Sequence, residues 1–157
     1  KQTLNQKSAQ NLTAPISGSI VSLKDVNDRT FSSEVMGKGI AIKPTENTIV
    51  SPCSGTISAL FETGHAIGIT TDDGLELLIH IGIDTVNLKG KYFKSLVTKG
   101  QKIKTNEPLI EFDSQSITQA GYDDIVIVVV TNSNDYLDVI PTNKDQVTVS
   151  DFLMGVL

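Results

Sequence analysis

The side chains of this 157-residue chain best suited to chemistry near neutral pH are its two histidines, His65 and His80. The segment joining them reads as two apolar runs around a turn: His65-Ala-Ile-Gly-Ile-Thr70, Thr71-Asp-Asp-Gly74, then Leu75-Glu-Leu-Leu-Ile-His80. That pattern predicts a β-hairpin. In an antiparallel pair, facing residue numbers have a constant sum. A loop of Thr71 to Gly74, or of Asp72 and Asp73 alone, gives a sum of 145 and sets His65 opposite His80. A two-residue turn at Asp73-Gly74 gives 147 and places the histidines diagonally on one face. A three-residue loop gives 146 and separates them onto opposite faces. Side-chain size argues against that third register. In the other two, Leu75, Leu77, Ile79, Ile81 and Ile83 share a face with the small residues Gly64, Ala66, Gly68 and Thr70, as in a packed core. The opposite face then carries His65, Ile67, Ile69, Glu76, Leu78 and His80, a mixed set suited to a site.

Two neighbouring imidazoles resist double protonation, and apolar surroundings act in the same direction. At least one stays neutral, with one nitrogen as a nucleophile toward carbonyl or phosphorus and the other fixed by a hydrogen bond. A plain histidine–histidine hydrogen bond and half of a zinc site are the competing readings. Zinc needs three or four ligands, so Asp84, Glu76 or a partner residue would have to complete the set, and no metal is expected. No Gly-x-Ser-x-Gly elbow and no Gly-x-x-x-x-Gly-Lys loop is present, which leaves a serine nucleophile and ATP unsupported.

The elements that must hold these histidines are strands. Ile and Val number 31 against 6 Ala, with 16 Thr besides. Such β-branched weight favours pleated structure. Short apolar runs fall at Ser19 to Leu23, Gly39 to Lys43, Thr56 to Phe61, Ala66 to Thr70, Leu75 to Ile83, Pro108 to Phe112 and Ile125 to Thr131. They predict an all-β antiparallel sandwich or distorted barrel with one or two short helical turns. One helix is expected over Ser114 to Ala120, capped by Asp113 or Ser114 and closed by Gly121. Polar residues 1–11 read as a linker or flexible N-terminal segment and 12–157 as a single domain. Pro15-Ile-Ser-Gly18-Ser-Ile20 is echoed by Pro52-Cys-Ser-Gly55-Thr-Ile57, which suggests two similar turns into strands. A net charge of -5 and no tryptophan give nucleic acid nothing to bind. The longest apolar run, Ile125 to Val130, is too short to span a bilayer, and a single cysteine fits a cytoplasmic setting.

The run Gly74-Leu-Glu-Leu-Leu-Ile-His80-Ile-Gly82-Ile-Asp84-Thr85-Val86-Asn-Leu88 closely resembles the active-site signature of the glucose-type IIA component of the bacterial phosphoenolpyruvate-dependent sugar phosphotransferase system. The likeness extends through Ala14-Pro15-Ile-Ser-Gly18, Gly39-Ile-Ala-Ile-Lys43-Pro44-Thr45, Thr63-Gly-His65, Lys99-Gly100-Gln101 and Leu109-Ile-Glu-Phe-Asp113, covering Leu12 to Leu157. It implies a phosphocarrier that needs no cofactor. His80 would accept a phosphoryl group at Nε2 from the carrier HPr and pass it to a cysteine of a IIB domain, with Nδ1 held by the Gly82 carbonyl. His65 would stabilise the phosphoryl oxygens, oriented by Thr63. Phe31, Val35, Met36, Phe61, Leu78 and Val86 would form an exposed apolar docking patch, with Asp84 either capping a turn or meeting a basic partner. Leu78 replaces an aromatic residue found in some members, which bears on partner preference. Two other readings are a phosphorylation-switched regulator of transporters or kinases, and a lipoyl- or biotinyl-type carrier, for which the lysine attachment motif is missing.

Overall fold

A computed structural model describes residues 9–157. Fourteen strands alternate with short connections: β1 (Gln10–Thr13), β2 (Gly18–Ser22), β3 (Lys38–Pro44), β4 (Thr48–Val50), β5 (Gly55–Leu60), β6 (Ala66–Thr70), β7 (Glu76–Ile81), β8 (Phe93–Ser95), β9 (Lys102–Ile103), β10 (Pro108–Phe112), β11 (Val126–Val130), β12 (Val139–Pro141), β13 (Gln146–Val147) and β14 (Phe152–Val156). Eight join in one antiparallel sheet, ordered β13-β2-β3-β11-β7-β6-β5-β9; β4-β10-β8 and β1-β14-β12 form two smaller sheets. The expected all-β sandwich is present. Among the described residues the two α-helices are single-turn α1 (Arg29–Ser32) and α2 (Ser114–Gln119). As anticipated, the Asp113 carboxylate accepts from the Ser116 amide at the start of α2, and Gly121 follows its end with φ +94°. Residues 1–8 of the expected linker lie outside the described residues, whereas Gln10 and Asn11, assigned to it, form β1 against Val156 and Gly155. Backbone pairing holds them there, which a reading by side-chain polarity does not register.

The central strands are buried on both faces. Along β3 and β11, Ile40, Ile42, Val126, Val128 and Val130 enter the main core, while Ala41, Ile127 and Val129 enter a smaller cluster with Leu23, Val26 and Phe31. In β7, Leu77, Ile79 and Ile81 belong to the main core and Leu78 packs on the smaller cluster. By alternation His80 shares the face of Leu78. The repeated Pro-x-Ser-Gly segments have the same structural use. A Cβ on Gly18 would lie 2.1 Å from the Lys43 carbonyl oxygen, and one on Gly55 would lie 2.5 Å from that of Thr70. Each glycine lets a strand begin close against its neighbour.

The β6–β7 hairpin takes the register that the side-chain pattern had argued against. Ala66 faces His80, Ile67 faces Ile79 and Gly68 faces Leu78, a sum of 146. The loop is Asp72-Asp73-Gly74, closed by the Thr71 amide donating to the Leu75 carbonyl at 2.9 Å and the Gly74 amide to the Thr71 carbonyl at 3.0 Å. Gly74 has φ +91°, the left-handed residue that a three-residue hairpin loop requires. Ile67 and Ile69 consequently lie in the main core with Leu77 and Ile79, not on the face of His80. Because both faces are covered, large residues are needed on each, and size contrast does not report register.

Candidate active site

His80 is half-buried in the middle of the large sheet, between Ala66 of β6 and Ile127 of β11. His65 lies just before β6, where regular pairing ends: its carbonyl still accepts the Ile81 amide at 2.8 Å. A tight turn precedes it. The Gly64 amide donates to the Phe61 carbonyl at 2.8 Å, and Gly64 has φ +75°. That turn swings the imidazole out of strand alternation and toward His80. The two ring centroids are 5.0 Å apart at 85°. The rings therefore meet as expected, but through a turn and not through facing positions in the sheet.

The same turn supplies a partner for His65, whose Nδ1 is hydrogen-bonded to the Thr63 hydroxyl. Phe61 packs on His65 at 5.3 Å and Phe93 at 6.5 Å, while Phe31 lies 5.0 Å from His80. Burial lowers the affinity of His65 for a proton. His80 is pushed down to about 4, first by burial and then by the neighbouring His65; the Gly82 backbone and the Asp28 and Asp84 carboxylates oppose this in part. Both shifts favour the neutral imidazole at pH 7. Nδ1 of His80 is buried and has no partner within hydrogen-bond geometry. The expected Gly82 contact is nonetheless in place: the Gly82 backbone lies within hydrogen-bonding reach of the ring and favours its protonated form, with an alignment that falls short of a full hydrogen bond.

The expected docking residues divide into buried or half-buried and exposed ones. Phe31 is only 5% exposed and belongs to the smaller core cluster, against which Met36 and Leu78 also pack. Placing Phe31 on an exposed patch is corrected by this burial: its ring supports His80 from below. The others are exposed: Val35 75%, Val86 50% and Phe61 47%, and of these three Phe61 lies against His65. Asp84 is exposed with φ +58° and makes no side-chain capping bond to the Thr85–Leu88 turn, so the capping role expected for it is absent. Two contributors escaped the sequence reading. Asp28 caps α1 by accepting from the Thr30 amide at 3.0 Å, and its charge reaches His80. The Asp-x-Thr-Phe pattern is a legible capping signal; nothing in the sequence signals Phe93 beside His65. Among the described residues, no group of three or more His, Cys, Asp or Glu side chains is placed to hold a metal ion, and no helix is long and apolar enough to cross a membrane.

The fold and the apposed rings define an all-β module centred on two neutral histidines. A family model for the phosphoenolpyruvate-dependent sugar phosphotransferase system, EIIA 1, matches residues 10–136. The chain is 45% identical over 145 residues to the PTS system beta-glucoside-specific EIIBCA component of Halalkalibacterium halodurans, covering 92% of this chain and 23% of that protein. It is 44% identical over 121 residues to the PTS system glucose-specific EIIA component of Staphylococcus epidermidis, covering 77% of this chain and 73% of that one. The glucose permease IIA from Mycoplasma capricolum superimposes with a TM-score of 0.83 at 31% identity, covering 94% of this chain and 96% of the other. The chain belongs to this EIIA family, the phosphotransferase components of sugar uptake. It spans less than a quarter of the length of the beta-glucoside-specific relative.

Proposed function

We propose that His80 is the phosphoryl acceptor of this IIA unit, reacting through Nε2. The observation that carries this reading is the placement of its ring: Nδ1 is buried, which leaves Nε2 as the nitrogen for a partner, beside a second imidazole 5.0 Å away. A neutral ring keeps the Nε2 lone pair free. In the transfer from phosphorylated HPr, the Nε2–P bond forms as the donor's bond to phosphorus breaks, and the donor leaves with that electron pair. Transfer onward to a IIB cysteine repeats the exchange, with the thiolate as nucleophile and His80 as leaving group.

His65 serves the transferring group and not the nucleophile. In the tautomer that this role requires, Nδ1 accepts from the Thr63 hydroxyl bonded to it and the proton sits on Nε2, where it can donate to a phosphoryl oxygen. In-line alignment and such donors are what phosphoryl transfer demands. Val35, Phe61 and Val86 surround the site as the apolar contact for HPr and IIB, with Asp84 and Asp28 facing basic groups of a partner. The match to an EIIBCA relative supports delivery to a IIB domain, and membership of a phosphoenolpyruvate-dependent family supports a cytoplasmic site of action.

The test is incubation with phosphoenolpyruvate, enzyme I and HPr. Wild-type protein acquires an acid-labile phosphate on His80, and His80→Gln acquires none. Folded wild-type protein that stays unlabelled would overturn the assignment.

A further inference from the structure

Among the described residues, Asp124 is the one buried carboxylate, 3% exposed at the approach to β11. Both of its oxygens are engaged. The Lys43 ammonium, at the end of β3, meets Oδ1, and the Ser114 hydroxyl, from the first residue of α2, donates to Oδ2. Lys43 also lies 3.8 Å from Asp123. A desolvated carboxylate is strongly unfavourable unless its charge and lone pairs are matched, so these partners dictate where the Asp123–Ile125 backbone can sit.

That backbone supports the residues immediately after His80. The Asp123 carbonyl accepts the Ile83 amide at 3.0 Å, and the Ile125 carbonyl accepts the Gly82 amide at 2.6 Å. Asp124 is thus the residue between the two acceptors that fix Gly82 and Ile83. There is little slack at this contact. Gly82 has φ +83°, and a Cβ on it would come within 2.7 Å of the Asp123 carbonyl oxygen. Gly82 in turn adjoins the buried Nδ1 edge of the His80 ring.

We infer that Asp124 is a positioning residue for His80: held by Lys43 and Ser114, it fixes the carbonyls of Asp123 and Ile125, which fix Gly82 and with it the orientation of the imidazole. The inference rests on His80 being the phosphoryl acceptor. Small displacements of a reacting nitrogen are costly because transfer is in line.

The experiment replaces the ion pair by apolar side chains, Lys43→Met/Asp124→Leu, so that no bare charge is left buried. Alongside it are Asp124→Asn, which keeps the shape and the Ser114 bond, and Lys43→Arg, which keeps the cation. Three quantities are read: the thermal midpoint, the 15N shifts of the His80 ring, and the rate of phosphorylation by phosphorylated HPr. The expected result is a double variant with a thermal midpoint near wild type, His80 15N shifts displaced toward tautomer averaging, and acceptance slowed about tenfold. Lys43→Arg keeps the wild-type shifts and rate. Wild-type 15N shifts and rate in the double variant would overturn the inference and leave the pair as a structural tie between β3 and α2. If the double variant does not fold, Asp124→Asn decides by the same two readouts. If wild-type protein is itself not phosphorylated, the acceptor assignment fails, and the 15N shifts alone then decide whether Asp124 sets the ring.

Discussion

His65 and His80 are not paired across the sheet, because the His65 carbonyl accepts the Ile81 amide at 2.8 Å, yet their ring centroids lie 5.0 Å apart at 85°. The near-perpendicular arrangement arises from the Phe61–Gly64 turn, which lets His65 leave the pleat. One ring is embedded in the sheet, whereas the other is carried on a turn and tied by its own neighbour, Thr63. That division suits the two roles proposed: the sheet sets the ring proposed as nucleophile, and a local hydrogen bond sets the ring proposed as donor to phosphoryl oxygens.

His65→Gln therefore leaves acceptance at His80 in place but slows delivery to a IIB cysteine by roughly tenfold or more, since the ring donor to the transferring group is lost. Thr63→Val, similar in shape, gives a milder loss of the same kind by freeing the His65 tautomer. Rapid-quench measurement of both half-reactions checks this. Equal onward rates in wild type and His65→Gln would remove the role assigned to His65.

Gly82→Ala acts through the backbone. At φ +83° the new methyl would lie 2.3 Å from Thr85 Cγ2 and 2.7 Å from the Asp123 carbonyl oxygen. Strain in the left-handed region together with overpacking lowers stability by about 2 to 3 kcal/mol. Urea unfolding with an unchanged slope and a lower midpoint is the expected record. A midpoint equal to that of wild type would show that the Asp123 and Thr85 contacts yield freely.

Much of this arrangement was readable from residue order. The runs at Ala66–Thr70 and Pro108–Phe112 are strands over those same residues, and Asp113 with Gly121 brackets α2 as capping chemistry requires. The hairpin was legible, but its register was not. The presence of Ile67 and Ile69 in the core shows why: with both faces of β6 and β7 covered, hydrophobic alternation carries no sign. The Asp-Asp-Gly loop, with glycine in its left-handed position, held the information that side-chain size did not. Short strands such as β9 and β13, each two residues long, are fixed by partners distant in the chain. Phe31 illustrates a similar limit, because its burial depends on β3 and β11 closing over the Asp28-capped turn.

The exposed apolar residues proposed for docking offer a test that leaves the fold alone. Val35 and Val86 are 75% and 50% exposed, so a carboxylate at either position meets solvent in the free protein. Val86→Asp and Val35→Asp keep the wild-type thermal midpoint but weaken association with HPr by about 1 to 2 kcal/mol each, through desolvation of the new charge at an apolar contact. Calorimetric titration measures this. Wild-type affinity in both variants would place the contact surface elsewhere.

The proton affinity of His80 gives the fold a defined response to acid. Its imidazole titrates at about 4 in the folded protein against 6.5 when unperturbed, burial being the largest cause and His65 the next. Between those values the unfolded chain binds more protons than the folded one, so acid favours unfolding there. The stabilisation is fully present above about pH 6.5, declines as the pH falls, and is exhausted below about pH 4. A depression of this size corresponds to at most about 3 kcal/mol, and His65, lowered by burial, acts in the same direction. Wild-type protein should consequently lose more of its urea midpoint between about pH 7.5 and pH 4.5 than His80→Gln, whose side chain does not titrate. The carboxylates titrate in both proteins and cancel in the comparison. Identical losses would mean that the His80 ring is hydrated well enough in the folded state to take up a proton near its ordinary value, and the neutral nucleophile that the proposed relay requires would then exist only above that pH.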